Sequence, residues 1–132
     1  MNAQGQHLEE HQWKNRVLIV KTSDAESTEY NEQLEEFDQS PEGFHDRKLI
    51  LYKVVNGDFT LSDFSEGEFN DSGKVSQDVT EDILDKEENF EIILIGLDGG
   101  VKLRQSEILK KEELFDTIDS MPMRQKEMKK EK

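Results

Sequence analysis

The side chains in this sequence best suited to binding chemistry are its arginines. A guanidinium group presents a planar fork of N–H donors that matches carboxylate and phosphate groups, whereas lysine is a point charge. Such a set predicts either a site for an anionic ligand or partner, or internal ion pairs with nearby aspartates. The candidate residues are Arg16, Arg47, Arg104, Arg124 and the neighbouring Lys102.

Other reactive side chains are scarce. The chain has no cysteine, which excludes disulfides, thiolate nucleophiles and cysteine-bound metals. His7 and His11 have helical spacing but lie in a patternless start of the chain, and no carboxylate run has the EF-hand pattern. The sequence therefore predicts no metal site and no cofactor.

Apolar runs predict the strands that position the arginines. Val17 to Val20 and Leu49 to Val55 are almost continuous, which is typical of strands covered on both faces. Between them, Ser23-Asp24-Ala25-Glu26 has the spacing of a capping box and predicts Ser23 as the N-cap of a first helix. That helix runs to Asp38, and Ser40-Pro41-Glu42-Gly43 is expected to break it.

The middle of the chain is acidic and less regular. We interpret residues 56–76 as a long acidic loop that could hold a short extra hairpin, followed by a helix from Asp78 to Glu88. Glu91 to Leu97 is the third strand. Asp98-Gly99 predicts a type I′ turn into a fourth strand.

The fourth strand alternates in polarity, as a half-exposed edge strand does. Lys102 and Arg104 are expected to share a face of this strand because they are two residues apart. The last helix is predicted from Lys111 to Ser120. Pro122 either ends this helix or opens a short second one.

The element order β-α-β-α-β-β-α predicts an α/β fold of thioredoxin-like type. The right-handed crossover rule makes the first two strands parallel neighbours, and the final hairpin adds two antiparallel strands beside strand one. We expect a four-stranded mixed sheet with helices on both faces. The domain is predicted at residues 13–125, after a flexible lead-in at 1–12 and before a basic tail at 126–132.

In thioredoxin-like enzymes the thiol nucleophile lies where strand one meets helix one, at a helix N-terminus. Here Ser23, Asp24 and Ser27 occupy that junction. A serine oxygen needs a positioned base to become a nucleophile, and none is evident in the sequence. We therefore expect no thiol-based redox activity. The capping spacing favours a structural role for Ser23 as an N-cap.

Net charge limits the choice of partners. At −14 the chain is too acidic for a nucleic-acid binder. No stretch approaches the roughly 20 apolar residues that cross a bilayer, so no membrane insertion is expected. Asn2-Ala3-Gln4 is similar to the end of a bacterial signal-peptide cleavage site. It favours a periplasmic or secreted protein whose signal peptide has been removed, with a cytoplasmic protein as the alternative.

Four segments together resemble a known family. They are WKNRVLIV from Trp13, HDRKL from His45, LIGLDGGVKLR from Leu94 and LFDTIDSMPMRQKE from Leu114. They are similar to the peroxiredoxin-like P-DUDES domain, a domain of unknown function in small secreted bacterial proteins and in animal sushi-repeat and equarin-type matrix proteins. The resemblance implies a thioredoxin-like fold and export, and it implies no catalytic residues.

Two classes of function follow from these features. The first is a non-catalytic, exported binding module for an unknown protein or a small anionic ligand. The second is an acidic inhibitor-type protein that occupies a basic site on a partner enzyme. A hydrolase or transferase that uses the arginines is a third and weaker hypothesis. The oligomeric state and the ligand do not follow from the sequence.

Overall fold

The computed structural model describes residues 14–56, 58–63, 69–74 and 89–130. Within these ranges one sheet contains six strands in the order β4-β3-β2-β1-β5-β6. The strands are β1 (Arg16–Thr22), β2 (Leu49–Val55), β3 (Asp58–Asp63), β4 (Phe69–Lys74), β5 (Phe90–Ile95) and β6 (Val101–Gln105).

The central part of the sheet confirms the predicted strand arrangement. β1 pairs with β2 in parallel, with Val17 opposite Ile50. On its other side β1 pairs with β5 in antiparallel fashion, and β6 continues antiparallel to β5. The apolar runs of β1 and β2 are buried because both strands lie in the interior of the sheet.

The predicted number of four strands is wrong. β3 pairs antiparallel with β2, and β4 pairs with β3, so a hairpin extends the sheet inside the segment interpreted as an acidic loop. Backbone hydrogen bonds to the free edge of β2 stabilise strands of low apolar content, which hydrophobic patterning does not reveal. The predicted helix from Asp78 to Glu88 and the lead-in at 1–12 lie outside the described residues.

The turn between β5 and β6 also differs from the prediction. Gly99 has a φ of 85°, but Asp98 does not have the positive φ that a type I′ turn requires. The N–H of Gly99 donates to the carbonyl of Gly96, and the N–H of Gly96 donates to the carbonyl of Gly100. This is a three-residue hairpin loop closed by a left-handed glycine.

Helices α1 (Thr28–Asp38), α2 (Pro41–Asp46) and α3 (Lys111–Asp119) bury apolar side chains against one face of the sheet. Phe37, Phe44 and Leu114 are fully buried there beside Leu18 and Leu51. A second buried cluster lies on the opposite face, where Val17, Ile19, Ile50 and Ile93 alternate with the first set. The described helices that pack on the sheet cover the first face only.

Proline begins two helices in this fold. Pro41 occupies the first position of α2, so the segment predicted as a break is a short helix. Pro122 opens α4 (Pro122–Lys130), and the residues interpreted as a basic tail therefore begin inside a helix. Both cases follow from the fixed φ of proline and its missing N–H, which suit the first turn of a helix.

Candidate functional site

At the junction between β1 and α1, the described side chains make the contacts of a turn and a helix cap. Ser27, and not Ser23 as predicted, is the N-cap of α1, and its Oγ accepts from the N–H of Tyr30 at 3.2 Å. Asp24 Oδ1 accepts from the N–H of Glu26, and Thr22 Oγ1 accepts from the N–H of Asp24. A local turn at residues 22–26 therefore delays the helix, because these side chains bond to the backbone before it.

Within the described part of the chain, no histidine lies at this junction. His45, the histidine within those ranges, lies exposed on α2. Ser23 is exposed and its N–H donates to the carbonyl of Asn89. A serine nucleophile would need a base within hydrogen-bond reach, so Ser23, Asp24 and Ser27 have the contacts of turn and cap residues.

Arg47 anchors α3 through the carboxylate of Asp119. Its Nε and one terminal nitrogen donate to the two oxygens of Asp119 at 3.1 and 2.9 Å, which is a bidentate pair. The guanidinium also lies 4.0 Å from the ring centroid of Phe115. Gly43 leaves room for the Phe115 ring in this position, since a Cβ at residue 43 would stand 2.7 Å from the ring.

Arg124 joins three helices from a buried position. It is 2% exposed, and its Nε donates to Asp119 Oδ1 at 3.0 Å. Its terminal nitrogens donate to the carbonyl of Asp46 at 3.1 Å and to Asp46 Oδ2 at 2.7 Å. One side chain of α4 therefore connects the end of α2 with the end of α3.

Arg16 lies next to this pair at the start of β1. It donates to the carbonyl of Arg47 at 2.8 Å and to both oxygens of Glu127 at 3.3 Å. Glu127 also accepts from Arg124 at 3.4 Å. We call Arg16, Arg47 and Arg124, with their partners Asp46, Asp119 and Glu127, the arginine cluster.

The arginine cluster is balanced in charge, with three guanidiniums and three carboxylates. Its arrangement is that of internal ion pairs between the sheet and the helices. One donor is an exception, because the Nε of Arg16 is buried and has no hydrogen-bond partner among the described residues. Arg16 is 1% exposed, and such an unpaired buried donor is costly.

The other two candidate cations bind carboxylates outside the arginine cluster, and the two do not share a partner. Arg104 donates to the buried Glu91 at 3.0 Å, and Lys21 contacts the second oxygen of that carboxylate. Lys102 donates to Asp98 at 2.9 Å. A register shift between Leu94 and Ile95 interrupts the pairing of β5 with β6 near Lys102, and the structure does not bring Lys102 and Arg104 to a common carboxylate.

A cavity of about 510 Å³ adjoins the arginine cluster. It lies at the end of the sheet where β1 begins, between the β5–β6 turn and the junction of α3 with α4. It has cationic, hydroxyl and apolar lining groups. The lining residues are Arg16, Gly96, Leu97, Asp98, Lys102, Thr117, Ser120, Met121, Pro122 and Met123.

Sequence reasoning included Arg16 and Lys102 among the candidates but missed the rest of this lining. Leu97, Met121 and Met123 read as core or turn residues in the sequence, and Thr117 and Ser120 as polar positions of a helix. Only the packing of α3 and α4 against the β5–β6 turn brings them together. Of the predicted arginines, Arg16 alone lines the cavity.

Asp119 makes the stability of the cluster depend on pH. Partial burial raises the pKa of Asp119, but hydrogen bonds and charge from Arg47 and Arg124 outweigh burial and hold the pKa below its ordinary 3.8. A carboxyl with a lowered pKa in the folded state stabilises the fold above its unfolded pKa and loses that contribution as pH falls through the folded value.

We therefore expect Asp119→Asn to destabilise the protein by an amount that is constant above about pH 5 and shrinks below pH 3.8. Urea unfolding of wild type and variant from pH 7 to pH 2 measures this difference. Asp116→Asn is the matched control, since Asp116 is exposed on the same helix. An Asp119→Asn penalty that is unchanged at pH 2 would contradict the assignment.

Two features are absent from the described ranges. No helix there is long and apolar enough to cross a membrane. Within the same residues, no group of three or more histidine, aspartate and glutamate side chains is placed to hold a metal ion.

Comparison with solved structures defines the class of fold. The chain is similar to the crystal structure of reduced 2-Cys peroxiredoxin from Plasmodium vivax, with a TM-score of 0.57 and 15% identity over 90% of this chain and 84% of that one. It is also similar to the mitochondrial 2-Cys peroxiredoxin of Plasmodium falciparum, with a TM-score of 0.54 and 14% identity over 86% and 79% of the two chains. The fold is thioredoxin-like α/β.

The sequence places the chain in a particular family. Residues 7–127 match the domain of unknown function DUF4174, and the protein belongs to that family. No curated protein sequence matches it. The chain thus combines a peroxiredoxin-like fold with the absence of cysteine.

Proposed function

We propose that this protein is a non-catalytic binding module whose ligand occupies the cavity beside Arg16. The observation that carries the proposal is the cavity itself, whose lining combines apolar side chains with the cations Arg16 and Lys102 and the hydroxyls of Thr117 and Ser120. Ligand sites are commonly clefts of about 300–1,000 Å³ with apolar walls and a few convergent polar groups. The cavity fits that description in size and lining.

The location of the cavity separates this role from thiol chemistry. A thiol nucleophile in this fold would stand at the end of β1, beside Ser23 and Ser27. Arg16 is at the beginning of the same strand, and seven residues of strand separate the two ends by about 20 Å. The proposed site therefore lies at the opposite end of β1 from the position that a redox centre would occupy.

Fragment screening by amide NMR tests the proposal on the intact chain. We expect small molecules to shift the amide signals of Gly96, Leu97, Thr117 and Ser120, while the signals of Ser23 and Ser27 stay fixed. Shifts confined to the β1–α1 junction, or no binder in a library of several hundred fragments, would contradict the proposal.

An acidic inhibitor-type protein is the second candidate. It is favoured by exposed carboxylates on α1 and α3, two helices that pack on the same face of the sheet. In the described part of the chain these carboxylates have no ion pair. These residues are Glu29, Glu32, Glu35, Asp38, Glu113 and Asp116. A surface of this kind attracts basic partners through long-range electrostatics.

The two candidates are separated by neutralising one face. The variant with Glu29, Glu32 and Glu35 changed to Gln is expected to keep all cavity binding. If the protein instead inhibits a basic enzyme through α1, this variant loses the inhibition, and salt weakens the wild-type complex.

Export to the periplasm or medium is part of the proposal, and cell fractionation of the native host with an antibody tests it.

A further inference from the structure

We propose that the cavity binds a small uncharged ligand with an apolar body and one hydrogen-bond donor, an O–H or N–H group. The inference rests on the proposed function and names its ligand class. The first reason is the charge of the wall. Arg16 is paired with Glu127 at 3.3 Å, and Lys102 is paired with Asp98 at 2.9 Å. Two cations and two carboxylates sum to no net charge, so the wall has no excess charge for an ionic ligand.

The charged groups of these two cations are also turned to other partners. Arg16 is 1% exposed, and both of its terminal nitrogens donate to Glu127. The methylene stem of Lys102 lies across Gly96, where a Cβ would stand 2.7 Å from the Lys102 Cε. The ammonium at the end of that stem donates to Asp98. Lys102 therefore adds a hydrocarbon stem to the wall, and its charge is already neutralised.

The hydroxyl groups of the wall can accept hydrogen bonds, but their hydrogens are already used. Thr117 Oγ1 donates to the carbonyl of Glu113 at 2.8 Å. Ser120 Oγ donates to the carbonyl of Thr117 at 2.8 Å. A hydroxyl oxygen that donates its hydrogen still has two lone pairs that can accept. A ligand O–H or N–H can therefore bond to these oxygens, whereas a carboxylate, a ketone or an ether, which only accept, cannot.

The rest of the wall is apolar. Leu97 is buried, Met121 is partly buried, and Pro122 and Met123 are exposed. Four apolar side chains that share one cavity differ from the singly scattered apolar residues that are ordinary on a protein surface. Methionine side chains are flexible and adapt to ligands of irregular shape. A ring or short hydrocarbon chain would cover this part of the wall and leave its donor group for the hydroxyl oxygens.

Titration of the full chain at pH 7, followed by amide NMR, tests the ligand class with four compounds that share an ethylphenyl body. In this set 4-ethylphenol donates a hydrogen bond, 4-ethylanisole only accepts, 4-ethylbenzoate is an anion and 4-ethylbenzylammonium is a cation. We expect 4-ethylphenol to bind about tenfold more tightly than 4-ethylanisole, because one hydrogen bond separates the two. Both ions are expected to bind more weakly than 4-ethylphenol, since they lose hydration without gaining an unpaired counter-charge.

A double variant, Thr117→Val with Ser120→Ala, tests the hydroxyl oxygens as acceptors. We expect it to weaken the binding of 4-ethylphenol about tenfold and to change that of 4-ethylanisole less than about twofold, because the ether makes no use of the hydroxyls. The matched control is Thr28→Val with Ser106→Ala, which removes the same two groups from exposed positions outside the cavity. The control should bind all four compounds as wild type does.

Each other result overturns a defined part of the inference. Equal binding of 4-ethylphenol and 4-ethylanisole would remove the donor from the ligand. Tighter binding of either ion would reverse the charge argument. Equal losses in the double variant and its control would remove the role of the two hydroxyls. If none of the four compounds shifts the amides of Gly96 and Leu97 while other fragments do, the ligand class is wrong and the proposed function stands. If no fragment shifts them, the proposed function fails as well.

Discussion

Replacement of Arg124 by methionine is expected to lower the free energy of unfolding by about 3 kcal/mol, since breaking a buried ion pair from one side leaves its partners unsatisfied. Arg124 is 3% exposed at its side chain and contacts Asp46, Asp119 and Glu127. Those carboxylates are partly open to solvent, which keeps the expected loss at the lower end of the usual range. In a chain of 132 residues the loss corresponds to a fall in Tm of about 10 °C.

The geometry of Arg124 gives a sharper comparison. Arg124→Lys keeps the charge but cannot reproduce a fork that donates from Nε and both terminal nitrogens. We expect it to cost about 2 kcal/mol. The matched control is Arg104→Lys. Arg104 is 40% exposed and donates to the buried Glu91 from a single nitrogen, which a lysine ammonium can replace, so the expected loss is below about 0.5 kcal/mol. Denaturant unfolding of Arg124→Lys and Arg104→Lys measures both losses in stability. Equal stability of Arg124→Lys and wild type would show that the planar set of donors on Arg124 does not contribute to stability.

The arginine cluster shows which contacts the sequence could predict and which it could not. The parallel pairing of β1 with β2 follows from two apolar runs and the crossover rule, and it places Arg16 and Arg47 at one end of the sheet. The carboxylates that receive them are not predictable in the same way. Asp119 and Glu127 lie more than 70 residues from Arg47 and Arg16 in the chain, and only the docking of α3 and α4 selects them over other acidic residues.

Local signals failed where two of them competed. Ser23 and Ser27 are each followed by residues that can begin a helix, and Ser23 also has a glutamate three residues later. The turn that the side chains of Thr22 and Asp24 stabilise places the start of the helix after Ser27. The β3–β4 hairpin was suggested only as an option, because its stability comes from hydrogen bonds to β2 and not from its own apolar pattern. The cavity could not be predicted from the sequence, since its lining comes from β1, the β5–β6 turn, β6, α3 and α4.

Replacement of Gln33 by leucine is expected to destabilise the fold by about 3 kcal/mol. Gln33 is fully buried on α1, and its Nε2 donates to the carbonyl of Leu109 at 2.7 Å while its Oε1 accepts from the N–H of Leu109 at 2.6 Å. Leucine has a similar size but satisfies neither group. Each buried backbone group left without a partner costs about 1–3 kcal/mol. Within the described residues, no helix or strand hydrogen bond replaces the two bonds to the N–H and the carbonyl of Leu109.

Two controls separate this contact from loss of a polar residue in general. Gln39→Leu changes an exposed glutamine that bonds only the ammonium of Lys111, and its expected effect is below about 0.5 kcal/mol. Gln33→Glu keeps an acceptor for the N–H of Leu109 but directs a carboxylate at the carbonyl of the same residue.

The Gln33→Glu variant carries the decisive pH test. A glutamic acid that is protonated can donate to the Leu109 carbonyl as the amide does, so burial and this bond raise the pKa of Glu at position 33 in the folded state. A raised folded pKa stabilises the protein below the unfolded value and loses that contribution as pH rises. We therefore expect the deficit of Gln33→Glu relative to wild type to be largest at pH 7 and to shrink towards pH 4 in urea unfolding. A deficit that is the same at both pH values would show that the bond to the Leu109 carbonyl does not hold the segment before α3 against α1.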